Sequence, residues 1–535
     1  PREAWQTLQA AHLETGSSPI QAIDYAYLRG EVQARLGNKD SAQRAFRLCL
    51  QRIQSLESMR DVPVEEVSVY LGRFRPQVSV IVGYFARWGD WRGAFEACQM
   101  GKGNALRLAW QAPRRYVELR HTEQARLDML RTRYENAIAQ QNRARTTAEQ
   151  RRLRRETERR LAEWQNYQRE LALRYPRLRW RQPEPLTPEQ LPLDNRTLIV
   201  EYALAPDWLT IVWVRRRNGR VQMGSAIQHV SEETVRGTIR NLLGNIEREA
   251  PLETVHADAQ RLYGWLIRPL EAQLGGVERV IVCPDSDLHA VPWAVLRDSQ
   301  GRYLLERVAI GSSPSASAWA AAEAMARGKL APRRVLTVAV SEFRGAGGDT
   351  RARLSPLPGV EREVQSIARA WGRGTQSLLN QQATRSATLQ HLPDASILHF
   401  ATHAVPNLRM PMLSALALWG NGAPQWLYAH EAMQTRLNAR LAVLSACRTG
   451  TGAFTTDGAL GLHWAFLAAG CPTVLATLWQ LPDEAAPLWA EAFYTSYKAG
   501  NLPTNALRRA CLQLRQNPRY AHPRYWSAWQ AFGAK

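Results

Sequence analysis

Apolar positions along this chain follow two different periods. From residue 1 to about 112 they recur every three or four residues, the spacing of helices that bury one face. Tyr27, Leu28, Gly30, Leu36, Gly37, Asn38, Ala42, Ala45 and Phe46 predict two helices folded back at Gly37–Asn38. Tyr84, Ala86, Trp88, Gly89, Asp90, Ala94 and Phe95 predict a second, looser copy. Residues 113–182 are polar, and no Gly or Pro interrupts them from Arg115 to Tyr175. A sparse stripe through Leu119, Leu127, Leu130, Tyr134, Leu153, Leu161 and Trp164 predicts long connector helices there, paired as a hairpin. Pro183, Pro185 and Pro188 then predict a boundary of extended chain.

Beyond that boundary the pattern turns to short apolar runs bounded by turn residues. Strands are expected at 197–203, 209–214, 221–223, 277–283, 334–340, 396–403, 441–447 and 472–479, with Asn218–Gly219 as a hairpin turn. Helical stretches fall at 232–274, 360–371 and 460–469. Strands alternating with helices imply parallel β-α-β units, hence an α/β/α layer fold centred on a parallel sheet. Four regions are expected: 1–112, 113–182, 183–330 and 331–535.

Composition narrows the class. The 535 residues exceed one core, and no apolar run approaches the roughly 18 residues of a spanning helix, so no membrane span is expected. The first residue is Pro1 rather than Met, which leaves room for a leader, a domain or further repeats upstream. Six scattered cysteines without C-x-x-C spacing suit a reducing cytoplasm rather than a disulfide framework. The net charge of +21 matters by its distribution. Its densest run, Arg151–Arg160, is interleaved with Glu149, Glu156, Glu158 and Glu163 at ion-pairing intervals, as on a solvated helix. Nucleic acid is the less favoured partner, with an acidic protein or an RNA kept as a second reading.

Two of the apolar runs end in reactive residues, His403 and Cys447. Open α/β sheets place their chemistry at the carboxyl ends of parallel strands, so neighbouring strands would bring this pair to one crevice. A thiolate is the nucleophile of cysteine chemistry, and a nearby imidazole lowers its pKa and protonates the leaving amine. Cys283, Cys471 and Cys511 read instead as inert core. His399 shares a strand face with His403 and reads as packing before function. No Cys, His or carboxylate spacing completes a metal set, and no cofactor is expected. The glycine-rich loop 344–348 lacks a Walker lysine and reads as flexible.

The runs Leu398–His403, Leu444–Gly450 and Gly458–Leu462 resemble the CHAT domain, a caspase-like peptidase domain associated with tetratricopeptide repeats. Pro284–Asp285, Pro292–Trp293, Leu357–Glu363, Leu478–Trp479, Phe493–Tyr494 and Pro523–Trp526 follow in the family's order, so the resemblance covers roughly 186–535. Together with the amino-terminal hairpins, whose small and aromatic spacing is tetratricopeptide-like, the layout is similar to cyanobacterial HetF proteases and to the CRISPR-associated TPR-CHAT peptidase. Separase shares the clan. The resemblance implies an α/β caspase-like fold, with a non-catalytic pseudo-protease half at 183–330 and a protease half at 331–535. It implies Cys447 as nucleophile, His403 as general acid/base, and the backbone N–H groups of Ala404 and Cys447 as oxyanion donors. The family usually carries glycine where this chain has Ala404. It implies that Asp483, with Asp457 as second candidate, lines the S1 pocket and selects a basic P1 residue, Arg before Lys. The expected partners are a protein substrate and a regulatory protein on the helical repeats, with HetF-like control of cell differentiation or division. A silent peptide-binding scaffold and an RNA-gated peptidase are the alternatives.

Overall fold

In the computed structural model the described residues are 3–4, 6, 18–56, 67, 70–111, 120–143, 146–174, 184–343, 354–408, 411–421, 424–435, 437–446, 449–450, 453–455 and 458–535. The amino-terminal region is helical, as its period requires: Pro19–Arg35, Lys39–Gln54, Arg75–Arg87, Trp91–Gly101 and Asn104–Gln111. Ser18 and Gln21 form a capping box on the first helix, and Asp90 accepts the Gly93 N–H at the start of Trp91–Gly101. Gly37 and Gly89 sit at φ +82° and +74°, so the predicted turns use the left-handed conformation that glycine tolerates. A ring cluster of Phe46, Tyr84, Phe85 and Trp88 fills the space between the hairpins. The next pair, His121–Arg143 and Thr147–Arg174, is the expected hairpin, closed by Leu127, Leu130, Tyr167 and Leu171. Its arginines pair largely as the spacing predicts, Arg160 with Glu156 and Glu163 and Arg154 with Glu158.

Pro188 corrects one expectation. Thr187 and Gln190 cap a 3-10 turn that Pro188 opens, so the boundary is not simply extended. Among the described residues sixteen strands follow: β1 Thr197–Leu204, β2 Leu209–Arg217, β3 Arg220–Gln228, β4 Arg279–Cys283, β5 Ala309–Ser312, β6 Val335–Ala339, β7 Thr375–Leu379, β8 Ile397–Ala401, β9 Ala404–Val405, β10 Ala415–Leu418, β11 Gln425–Tyr428, β12 Leu441–Ser445, β13 Ala453–Thr455, β14 Gly458–Leu460, β15 Thr473–Thr477 and β16 Trp529–Gly533. Eleven form one sheet in the order β3-β2-β1-β4-β5-β16-β15-β12-β8-β6-β7. β6, β7, β8, β12 and β15 are parallel, as are β1, β4 and β5. β16 runs antiparallel to β15 and parallel to β5. The two parallel sets therefore run in opposite directions, and their carboxyl ends lie at opposite ends of the sheet.

Alternation along each strand sorts side chains to two faces. On one face Leu398, Phe400, Ala442 and Leu444 pack in a core continuous with the amino-terminal helices and with Leu462–Ala468. On the other, Ile397, Leu441, Val443 and Leu475 pack against Trp489, Phe493 and Leu507. Layers of helix, sheet and helix result, the expected architecture. The repeat-like helices are part of the body rather than an appendage: Trp110 Nε1 donates to the Leu467 carbonyl at 2.6 Å. Among the described residues no helix is long and apolar enough to cross a membrane.

Candidate active site

His403 follows the carboxyl end of β8, where a fully buried strand gives way to turn. It is 8% exposed, with the Phe343 ring centroid 5.9 Å from its own. Its Nε2 lies 2.7 Å from the Ser355 carbonyl oxygen. A carbonyl only accepts, so Nε2 carries the hydrogen, and the neutral ring keeps Nδ1 as its basic nitrogen. Ser355 lies just before the helix Gly359–Trp371, on a segment tied down by the bond from Leu357 N–H to the Ser341 carbonyl. Nothing in a side-chain pattern announces a backbone acceptor, and sequence reading missed it.

β12 lies beside β8 in parallel register, with Ser445 opposite Ala401. Two residues beyond each lie His403 and position 447. Cys447 and Asp457 are outside the described residues; Thr449, two residues beyond Cys447, is held from several sides. Thr449 Oγ1 reaches the carbonyls of Leu444 and Ala446 at 2.9 and 3.2 Å and accepts the Thr477 N–H at 3.1 Å. Gly450 N–H donates to the Thr477 carbonyl at 2.8 Å, and His463 Nδ1 donates to the Thr449 carbonyl at 3.1 Å. Burial holds the His463 imidazole down to about 4, partly offset by that bond. The glycine loop 344–348 is likewise outside the described residues. The five other cysteines are buried free thiols, and burial pushes Cys49, Cys471 and Cys511 up to about 12 and Cys98 and Cys283 up as well. Such thiols are poor nucleophiles.

Ala404 opens β9, part of a small antiparallel sheet with β10 and β11. It is absent from the residues with positive φ, so alanine suits this backbone. Ala404 faces Leu416 while Ala417 N–H bonds the His403 carbonyl at 2.9 Å. That register makes Ala404 a non-hydrogen-bonded position, whose N–H points away from β10. Tyr134 of the connector hairpin packs with Leu413 and Tyr428 beside this small sheet, so the hairpin braces the site's surroundings.

Asp483 follows β15 and is half-buried; its Oδ2 accepts the Gly359 N–H at the head of Gly359–Trp371. Burial holds its carboxyl above the ordinary range, with the Gly359 bond opposing and Glu363 reinforcing the shift. Gly359 leaves no room for a methyl, which would meet the Asp483 carbonyl. His399 is fully buried between Glu363 Oε1 at 3.0 Å and the Tyr494 hydroxyl at 2.9 Å, a packing role that joins two helices to β8. The helix expected from 460 begins at Leu462 with Gly461 as its cap. Among the described residues no three His, Cys, Asp or Glu cluster as a metal site.

The chain is 26% identical over 325 residues to mouse tetratricopeptide repeat protein 28 and 25% identical over 321 residues to its human counterpart, covering 51% of this chain in each case. It spans about 13% of the length of those relatives. A Saccharomyces cerevisiae separase–securin complex is similar at 9% identity and TM-score 0.45, over 100% of this chain and 48% of that chain. Residues 256–534, more than half of the chain, match the CHAT domain, and the chain belongs to that family.

Proposed function

We propose that the chain is a cysteine endopeptidase that cuts a protein substrate after a basic residue through His403 and Cys447. The observation that carries this reading is the bond from His403 Nε2 to the Ser355 carbonyl, which leaves Nδ1 as base at the end of β8, level with the strand that leads to Cys447. Nδ1 of His403 takes the Cys447 thiol proton, the thiolate attacks the scissile carbonyl, and the resulting oxyanion is held by the N–H groups of Ala404 and Cys447. His403 passes its proton to the leaving amine, the C–N bond breaks and a thioester remains. Water then attacks that thioester, giving its proton to Nδ1, and the acid product leaves with the thiolate restored.

Asp483, at the loop after β15, supplies the carboxylate that prefers Arg, then Lys, in S1, with Asp457 as the second candidate. The tetratricopeptide-like helices receive a regulatory protein, and the work is done in the cytoplasm, in control of differentiation or division as in HetF-type proteases. Peptides bearing Arg, Lys or Asp at P1 test this against wild type and Asp483→Asn, which keeps an oxygen for the Gly359 N–H while removing the charge. Cleavage after Arg, weakened by about tenfold or more in the variant, is expected. Preference for Asp at P1 overturns the reading.

A further inference from the structure

A cavity of about 360 Å³ lies between Leu252–Leu266, the turn 297–303 and the end of Pro503–Gln516. Its floor is Tyr303, 5% exposed, whose ring is fixed by the edge of Trp526 at 5.2 Å. Two guanidiniums lie against that one ring, Arg515 at 4.8 Å and Arg297 at 5.8 Å from its centroid. His256 Nε2 is 2.7 Å from the Tyr303 hydroxyl. The acids do not balance these groups. Glu306 takes the Tyr303 N–H on one oxygen and Arg515 Nη1, at 2.9 Å, on the other. Arg297 bonds only the Gly301 carbonyl through Nε and has no carboxylate partner among the described residues. His256 feels the excess: burial, then Arg297, His522 and Arg515, hold its imidazole below the ordinary range.

Like charges gathered around a cavity repel unless an anion joins them, and paired guanidiniums match phosphate oxygens in geometry. The turn that carries Arg297 is already set, since Asp298 accepts the N–H groups of Gln300 and Arg302. The cavity is at the small end of ligand sites, and Leu252, 39% exposed, gives it an apolar rim. We infer that this cavity binds a small organic phosphate, its phosphate between Arg297 and Arg515 and its body against Leu252. Because Arg515 belongs to a helix of the carboxyl-terminal half and Arg297 to the amino-terminal half, the ligand ties the two halves together.

Titration calorimetry on the full chain tests the site independently of any peptidase activity. The probes are inorganic pyrophosphate, adenosine 5′-monophosphate and uncharged adenosine. One saturable site for both phosphates, and none for adenosine, is expected. Arg297→Gln should weaken binding by about tenfold or more. Leu252→Glu, at an exposed rim position that does not threaten folding, should do the same by placing a negative charge there. Arg155→Gln, on the connector hairpin and not among the lining residues, should leave binding unchanged. Absence of saturable phosphate binding, equal binding of adenosine, or binding undiminished in Leu252→Glu overturns the inference.

Discussion

The two halves of the sheet carry comparable strand ends with different fates. β4 ends in Cys283 much as the β12 run leads to Cys447, and both follow apolar strands of a parallel set. At the β4 end the crevice is stoppered. Lys102, from the turn between two amino-terminal helices, places Nζ 2.5 Å from Glu201 Oε2 and 3.0 Å from the carbonyls of Tyr202 and Cys283. Burial opposes the charge on Lys102 more strongly than any one neighbour favours it, yet Glu201, Cys98, Cys283 and Asp285 together hold the ammonium above its ordinary range. Gln99 and the Ala316 N–H satisfy the other Glu201 oxygen, while Asp285 accepts from Ser79 and Leu204. At the β8 end, by contrast, the polar groups orient a histidine rather than fill the space. A strand-end cysteine becomes a candidate nucleophile through what surrounds it, and at the β4 end the helical region supplies the plug.

That contrast breaks most sharply by substitution of the two cysteines. Cys447→Ala should cut peptide cleavage by about a thousandfold or more, as loss of a nucleophile does, and Cys283→Ala should leave the rate within about twofold. Equal effects in a peptidase assay would erase the distinction between the halves. Next in size is the stopper. Lys102→Met strands Glu201 in the core and should cost about 3–5 kcal/mol in urea unfolding, whereas Lys102→Met with Glu201→Gln should recover much of it. A double variant as unstable as the single one would show that packing, not charge pairing, holds the helices to the sheet.

The third test is by pH. The folded chain holds His463 near 4 and His289 near 3, both through burial, while the unfolded chain protonates histidine near 6.5. Between those values the unfolded state binds more protons, so stability falls as pH drops from about 6.5 to 4. His463→Phe should flatten that fall by up to about 3 kcal/mol in unfolding curves taken along the pH range. An unchanged slope would mean that the ring near Thr449 is not buried neutral. Smallest is Gly359→Ala, whose methyl displaces Asp483. A loss of about 1–2 kcal/mol, with weaker selection of P1 Arg, is expected from thermal unfolding and peptide assays.

Much of this fold could be read in advance where burial is two-sided. β8, β12 and β15 are continuous apolar runs, and only parallel strands covered on both faces need that pattern. β5 and β7 were not legible: Ala309–Ser312 is short and small, and Thr375–Leu379 is a partly exposed edge. β16, the antiparallel strand that joins the halves, lay hidden in a stretch of mixed residues, because its burial comes from tertiary neighbours. His403 was legible because it ends a strand. The Ser355 carbonyl was not, since every residue carries one and only the fold selects which is used. Asp483 drew its role from the family resemblance, and its bond to Gly359, which joins residues 124 positions apart, was not legible. Ala404 looked like a defect until its extended backbone, paired with β10, removed any demand for glycine.

The central claim is that the β8 and β12 crevice, unlike its stoppered counterpart, cuts protein. Terminal-peptide mass spectrometry on candidate host proteins co-expressed with wild type, Cys283→Ala and Cys447→Ala measures this directly. The account predicts new termini after Arg with wild type and Cys283→Ala, and none with Cys447→Ala. The same new termini surviving in Cys447→Ala would contradict it.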